Sequence, residues 1–153
     1  MDPRALDAFI VAAKRATYVG DGRRADPSRA GSHDLIFSDG PFSYRDSYFG
    51  GTDFLGQEVV WHGATPIWAM SYYGYILRND LIDAARAGAT IKAALGALYA
   101  EGRFLGGFEW QGPHGTYRDT STGDVTHFRG REHISVDGTE AYALDYFGGL
   151  VKA

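Results

Sequence analysis

Two glutamates sit in one recurring local setting. Glu58 follows Gly56 and Gln57 and precedes Val60, while Glu132 follows Gly130 and Arg131 and precedes Ile134. On a strand, each carboxylate would share a face with the apolar residue two places on, and so be drawn towards the interior. Burial without a cation raises a carboxyl pKa, and a second carboxylate nearby raises one of the two further. Such a pair can hold a cationic ligand or act as acid and base. The alternative is structural: each glutamate pairs with an arginine, for which Arg45, Arg118 and Arg131 are at hand, or caps backbone groups at a strand bend.

Tyr44-Arg45-Asp46 and Tyr117-Arg118-Asp119 form a second repeated pattern. Strand alternation puts Tyr and Asp on one face and Arg on the other. The structural reading is a cross-strand ion pair on one side and a Tyr–Asp hydrogen bond on the other; in an enzyme, Asp46 and Tyr44 would join Glu58 as catalytic groups. Aromatic residues make up 14% of the chain. Trp61, Trp68, Trp110, Tyr72 and Tyr146 can wall a pocket whose ring faces suit flat or cationic organic molecules. Packing alone also uses such residues. None of the five histidines has helical ligand spacing or a carboxylate pattern of a known metal site. No metal and no cofactor is therefore expected. The chain has no cysteine, which rules out disulfides and a thiol nucleophile.

The elements that must position these groups come in two sets. Residues 56–74 reappear at 130–148, identical at Gly56/Gly130, Glu58/Glu132, Thr65/Thr139, Ala69/Ala143, Tyr72/Tyr146 and Gly74/Gly148. Unrelated segments of that length share roughly one identity. The pattern predicts a tandem duplication within a single domain, 1–153, with repeats at about 2–76 and 80–149. Asp2-Pro3 reads as a helix start, followed by Leu6, Phe9, Ile10 and Ala13 as an apolar stripe. Residues 19–33 read as a loop. Strands follow at 34–37, 42–49, 58–62 and 66–76. A second helix is expected over 80–99, capped by Asn79, and four more strands near 108–111, 116–120, 126–136 and 140–147. The fold class is thus α+β: a helix plus four antiparallel strands, twice, forming one pseudo-twofold curved sheet or flattened barrel with two helices.

The run Asp34-Leu35, Phe42-x-Tyr44-x-Asp46-x-Tyr48-x-Gly50-Gly51, Phe54-x-Gly56-x-Glu58 and Pro66-x-Trp68-x-Met70-x-Tyr72-Tyr73-Gly74 resembles an uncharacterised bacterial domain family. Members of that family stand alone or follow a helix-turn-helix DNA-binding module. The resemblance implies an effector-sensing role by analogy. This chain carries Ser71 where many members have Asn, and its single helix before the strands cannot make a helix-turn-helix.

A net charge of −4 argues against a nucleic-acid partner. The only basic cluster, Arg23, Arg24 and Arg29, is diluted by Asp21 and Asp26. No stretch has signal-peptide or membrane-spanning character, so a cytoplasmic protein without membrane contact is expected. The leading functional expectation is a small-molecule binding module whose ligand-binding residues are Glu58, Trp68, Tyr72, Trp61, Trp110, Glu132 and Tyr146. The alternative is a metal-independent lyase, isomerase or cyclase using Glu58, Asp46 and Tyr44.

Overall fold

The computed structural model describes every residue except Asp21, so the acidic residue expected at that point of the arginine cluster lies outside the described residues. Helix α1 spans Pro3–Lys14 and begins as its sequence dictates. The Asp2 carboxylate accepts from the Arg4 N–H at 2.9 Å, and Pro3 occupies the first turn, where its missing donor costs nothing. Leu6, Phe9, Ile10 and Ala13 are buried along one stripe. The helix then widens into a π-helical turn at Arg15–Val19, where the Thr17 hydroxyl donates to the Ala13 carbonyl at 2.8 Å.

Among the described residues nine strands form one sheet. They are β1 (Arg23–Ala25), β2 (His33–Asp39), β3 (Phe42–Gly50), β4 (Phe54–His62), β5 (Thr65–Ile76), β6 (Phe108–Gly112), β7 (Gly115–Asp124), β8 (His127–Val136) and β9 (Thr139–Leu150). Their order is β1-β2-β3-β4-β5-β9-β8-β7-β6, and every neighbouring pair is antiparallel. Two meanders therefore meet at β5 and β9, with Tyr72 directly opposite Tyr146. Each meander has one register shift, between Val60 and Trp61 in the first and between Ile134 and Ser135 in the second.

Two expectations are corrected. Of the two forms expected, a sheet or a flattened barrel, the barrel is excluded: among the described residues the sheet is open, with β1 and β6 as unpaired edges. The segment 19–33 is also not wholly loop, because Arg23–Ala25 pairs with Asp34–Ile36 as a ninth strand. Three residues without an apolar alternation carry no strand signal, and only the β2 edge supplies their hydrogen-bond partners. Both free edges are short, which limits pairing with other chains.

Helix α2 spans Ala84–Ala100 and is capped by Asp83, whose carboxylate accepts from the Arg86 N–H at 2.8 Å. The expected start at Asp80 under an Asn79 cap is too early. Residues 78–82 instead make a tight turn, with Leu81 and Ile82 both donating to the Arg78 carbonyl and Arg78 paired to Asp80. Both helices cover one sheet face. That face contributes Tyr44, Val60, Trp68, Met70, Tyr72, Tyr117, Ile134, Tyr142 and Tyr146 to the core. The opposite face leaves Leu55, Tyr73 and Phe147 exposed. Among the described residues no helix is long and apolar enough to cross a membrane.

Gly88 lies inside α2 and weakens it, because glycine in a helix interior is less favourable than alanine. A Cβ there would meet nothing within 4 Å. Gly88→Ala is accordingly expected to stabilise the fold by about 0.5–1 kcal/mol, read as a higher midpoint in urea with an unchanged slope.

Candidate functional site

Four carboxylates are buried beneath the helices: Asp46 on β3, Glu58 on β4, Asp119 on β7 and Glu132 on β8. Strand register sets them in pairs, Asp46 opposite Glu58 and Asp119 opposite Glu132. They lie on the covered face because they alternate with core residues, Glu58 with Val60 and Glu132 with Ile134.

One cation meets them. Lys14, the last residue of α1, is 5% exposed and extends its ammonium to both Glu58 oxygens, at 2.9 and 2.8 Å. The Tyr44 hydroxyl donates to Glu58 as well. Phe104 presents its ring 5.2 Å from the Lys14 nitrogen, and the Met70 sulfur lies 3.8 Å away. The arginines considered as glutamate partners are engaged elsewhere. Arg45 pairs with Asp34 at 2.6 Å, Arg118 with Glu109 at 3.3 Å, and Arg131 with Glu140. Strand alternation explains the correction, since these arginines point to the face opposite the glutamates.

The aspartates are held by tyrosines from two strands away. Tyr72 on β5 donates to Asp46 at 2.6 Å, and Tyr146 on β9 donates to Asp119 at 2.7 Å. Each tyrosine reaches across the intervening strand by lying over a glycine. A Cβ on Gly56 would come within 2.5 Å of both the Tyr72 hydroxyl and the Tyr48 Cβ, and one on Gly130 would collide with the Tyr146 ring. Phe54 likewise lies over Gly74, and Phe128 crowds Gly148. Aromatic rings packed over strand glycines fix register and exclude any larger residue.

Burial, with nearby Asp119, pushes the Glu132 carboxyl up to about 8. Burial pushes Asp119 up to about 6, against the hydrogen bond from Tyr146. Asp46 is also raised, first by burial and then by the Glu58 charge, with Tyr72 and Lys14 opposing. Tyr44 and Tyr72 rise well above the ordinary phenol value through burial and these same carboxylates, so both remain hydrogen-bond donors.

A cavity of about 410 Å³ opens between this sheet face and the helices. Lys14, Tyr44, Asp46, Glu58, Tyr72 and Glu132 face it, together with apolar side chains from α2 and β9. Its rim includes Gly50, Gly51 and Thr52 from the β3–β4 turn and the exposed Ala84 and Gly88 of α2. The structure thus gathers Glu58, Glu132, Tyr72, Asp46 and Tyr44 around one space. The other residues considered as pocket walls lie elsewhere. Trp68 is completely buried, donates to the Val125 carbonyl at 3.0 Å and stacks on Phe128. Trp61 follows the β4 bulge and Trp110 stands on the edge strand opposite Tyr117; neither lines the cavity. Tyr146 acts on Asp119, which also lies outside the cavity wall.

Sequence reading passed over Lys14, Tyr99 and Tyr142, all of which face the cavity. A signal for Lys14 existed: it falls four residues after Ile10, on the apolar stripe of α1, where a lysine is out of place unless it has a buried partner. Among the described residues no group of three or more histidines or carboxylates converges to hold a metal ion.

The family described as Domain of unknown function (DUF5680) matches residues 46–151, more than half of the chain, and the chain belongs to that family. No curated protein and no solved structure matches it.

Two expectations follow from the buried charges. Lys14→Met leaves Glu58 buried without its cation and is expected to cost about 3–5 kcal/mol, seen as a fall in Tm of roughly 10 °C. The Lys14→Met, Glu58→Gln double variant should recover more than half of that loss. The second expectation concerns pH. Glu132 and Asp119 bind protons more tightly folded than unfolded, so the stability linked to them is complete below the unfolded carboxyl pKa of about 4. It is lost as pH rises through about 6 and about 8. Tm should therefore fall between pH 5.5 and 8.5 at constant ionic strength. Glu132→Gln should flatten that slope and gain about 2–4 kcal/mol over wild type at the alkaline end.

Proposed function

We propose that this DUF5680 domain is a small-molecule binding module whose ligand enters the cavity between the sheet and the two helices and is flat or cationic. The observation that carries the reading is the charge balance of the cavity wall. Three carboxyl groups, Asp46, Glu58 and Glu132, face one ammonium, Lys14, in a space otherwise lined mainly by aromatic and aliphatic side chains. A volume of about 410 Å³ lies within the usual range for small organic ligands. A cation in the cavity would draw the buried Asp46 and Glu132 carboxyls, which burial holds towards the acid form, into their charged state. Phenol and phenyl faces from Tyr44, Tyr72 and Phe54 suit a flat body.

The arrangement is also read here as a tandem duplication. The residues that recur in the sequence carry the same contacts in both meanders: Tyr72 over Gly56 to Asp46, and Tyr146 over Gly130 to Asp119. The pairing of Tyr72 with Tyr146 supports an approximate twofold through the centre of the sheet. One domain built this way places its ligand where the copies and their helices face one another. The ligand pool would be that of the cytoplasm.

A second reading has its own support. Glu58 is ion-paired while Glu132, in the same cavity, is pushed up to about 8. A carboxylate and a carboxylic acid within one space suit proton transfer without a metal, as in a lyase, isomerase or cyclase, with Asp46 and Tyr44 assisting.

The test is a thermal-shift screen of organic cations and neutral analogues, followed by methyl NMR. At about 100 times its Kd a ligand adds about 2.7 kcal/mol, a shift of several degrees in Tm. Hits should move the methyl signals of Ile91, Leu95 and Leu144, which line the cavity. A library without hits, or hits that perturb only methyls remote from the cavity, would overturn the binding assignment. Conversion of a hit to product during incubation would favour the enzyme over the sensor.

A further inference from the structure

The two glutamates occupy like positions but are served differently. Glu58 receives the Lys14 ammonium through both oxygens and the Tyr44 hydroxyl through one. Glu132 stands opposite Asp119 as Glu58 stands opposite Asp46, and Tyr117 precedes that aspartate as Tyr44 precedes its own. Among the described residues no ammonium reaches Glu132, and the one donor beside it is the Tyr117 hydroxyl. That hydroxyl leans on the Glu132 carboxyl without the geometry of a close hydrogen bond. The hydroxyl of Tyr142, on the adjacent strand β9, is also unpartnered. All three residues are at least nine-tenths buried: Glu132 is 9%, Tyr142 1% and Tyr117 0% exposed. Glu132 and Tyr142 face the cavity.

Buried polar groups are nearly always paired, and leaving one unmade costs about 1–3 kcal/mol, more for a charge. Two of them, Glu132 and Tyr142, face the cavity and form a recognition point that the chain does not fill with a cation of its own. What is missing is what Lys14 supplies to Glu58. We propose that Glu132, with Tyr142 beside it, binds the protonated amino group of a small, largely apolar amine, whose ammonium takes at Glu132 the place that Lys14 takes at Glu58.

This inference rests on the binding reading above and narrows it to a ligand class. An ammonium with N–H donors matches a carboxylate and a phenol oxygen that both have free acceptor capacity. A quaternary ammonium has no donor to give and fits less well. The body of the amine would lie against Ile91, Leu95 and Leu144, which continue the cavity wall from α2 and β9. Lys14 remains on Glu58 and closes that end to a second cation.

The test compares tryptamine with tryptophol, its neutral hydroxyl analogue, by calorimetry on wild type, Glu132→Gln and Tyr142→Phe. A charge-assisted bond of ordinary strength makes wild type prefer the amine by about 10-fold or more. Glu132→Gln should erase that preference by weakening the amine far more than tryptophol, which a merely structural role for Glu132 would not produce. Tyr142→Phe removes only an unpaired hydroxyl, so it tests the site even should Glu132→Gln fold poorly; it should reduce the preference roughly threefold. Equal affinity for the two compounds in wild type, or a preference that survives both variants, would overturn the assignment. If neither compound binds while other cations occupy the cavity, the amine assignment falls and the binding module stands. If nothing binds, both fall.

Discussion

The contact between Lys14 and Glu58 is the constraint on which the covered side of the sheet depends. It joins the end of α1 to the middle of β4 with both oxygens engaged, at 2.9 and 2.8 Å. It is the one buried cation among the described residues, set against carboxylates on β3, β4, β7 and β8. Removing a charge from water is costly, and the attraction within the pair only offsets that cost when the geometry is close. The helix end, the Tyr44 hydroxyl and the Phe104 ring are consequently tied to one point. The cavity exists beside that point because the helices are held over the sheet there while small residues of α2, Ala84, Ala87 and Gly88, leave space beyond it.

A second device acts within the sheet. Tyr72 and Tyr146 lie across Gly56 and Gly130 to reach aspartates on the strand beyond, so three strands are locked in register by one ring and one hydrogen bond. A side chain at either glycine would displace the ring from the backbone. This explains why glycine, glutamate, tyrosine and glycine recur together in the chain: the first glycine admits the tyrosine, and the second admits Phe54 or Phe128. Hydrogen-bonded tyrosines account for two of the four carboxylates buried on the covered face and the lysine for a third. Glu132 has no lysine of its own, and its raised pKa follows from burial and the nearby Asp119, which the Tyr117 hydroxyl only partly opposes.

Much of this was legible from residues alone. Asp2 and Pro3 announce the start of α1, and strand alternation puts Tyr44, Asp46, Glu58 and Glu132 on one face, where the structure has them buried. The alternation that identifies the glutamates also separates them from the arginines, which the structure pairs with outward-facing acids. The tryptophans were less legible. Composition marks them as pocket candidates, but Trp68 fills the core against Phe104 and Phe128, and Trp61 is turned by a bulge. A ring suits a pocket and a core equally well, and only packing distinguishes them. The start of α2 and the strand at Arg23–Ala25 were missed because a tight turn and a short edge draw on partners distant in the chain.

The sequence by itself determined the elements, their faces and the repeated residues, because helical and strand periodicity and the demands of caps and close-packed glycines are local. Tertiary structure alone decided that the two meanders join through β5 and β9, that the sheet stays open, and that α1 lays Lys14 on Glu58 rather than on Glu132. Those outcomes depend on which surfaces meet across long stretches of chain. A buried charge goes to the partner that the helix can reach, and no spacing along one strand encodes that reach. The difference between two glutamates with like neighbours is therefore a property of the folded protein.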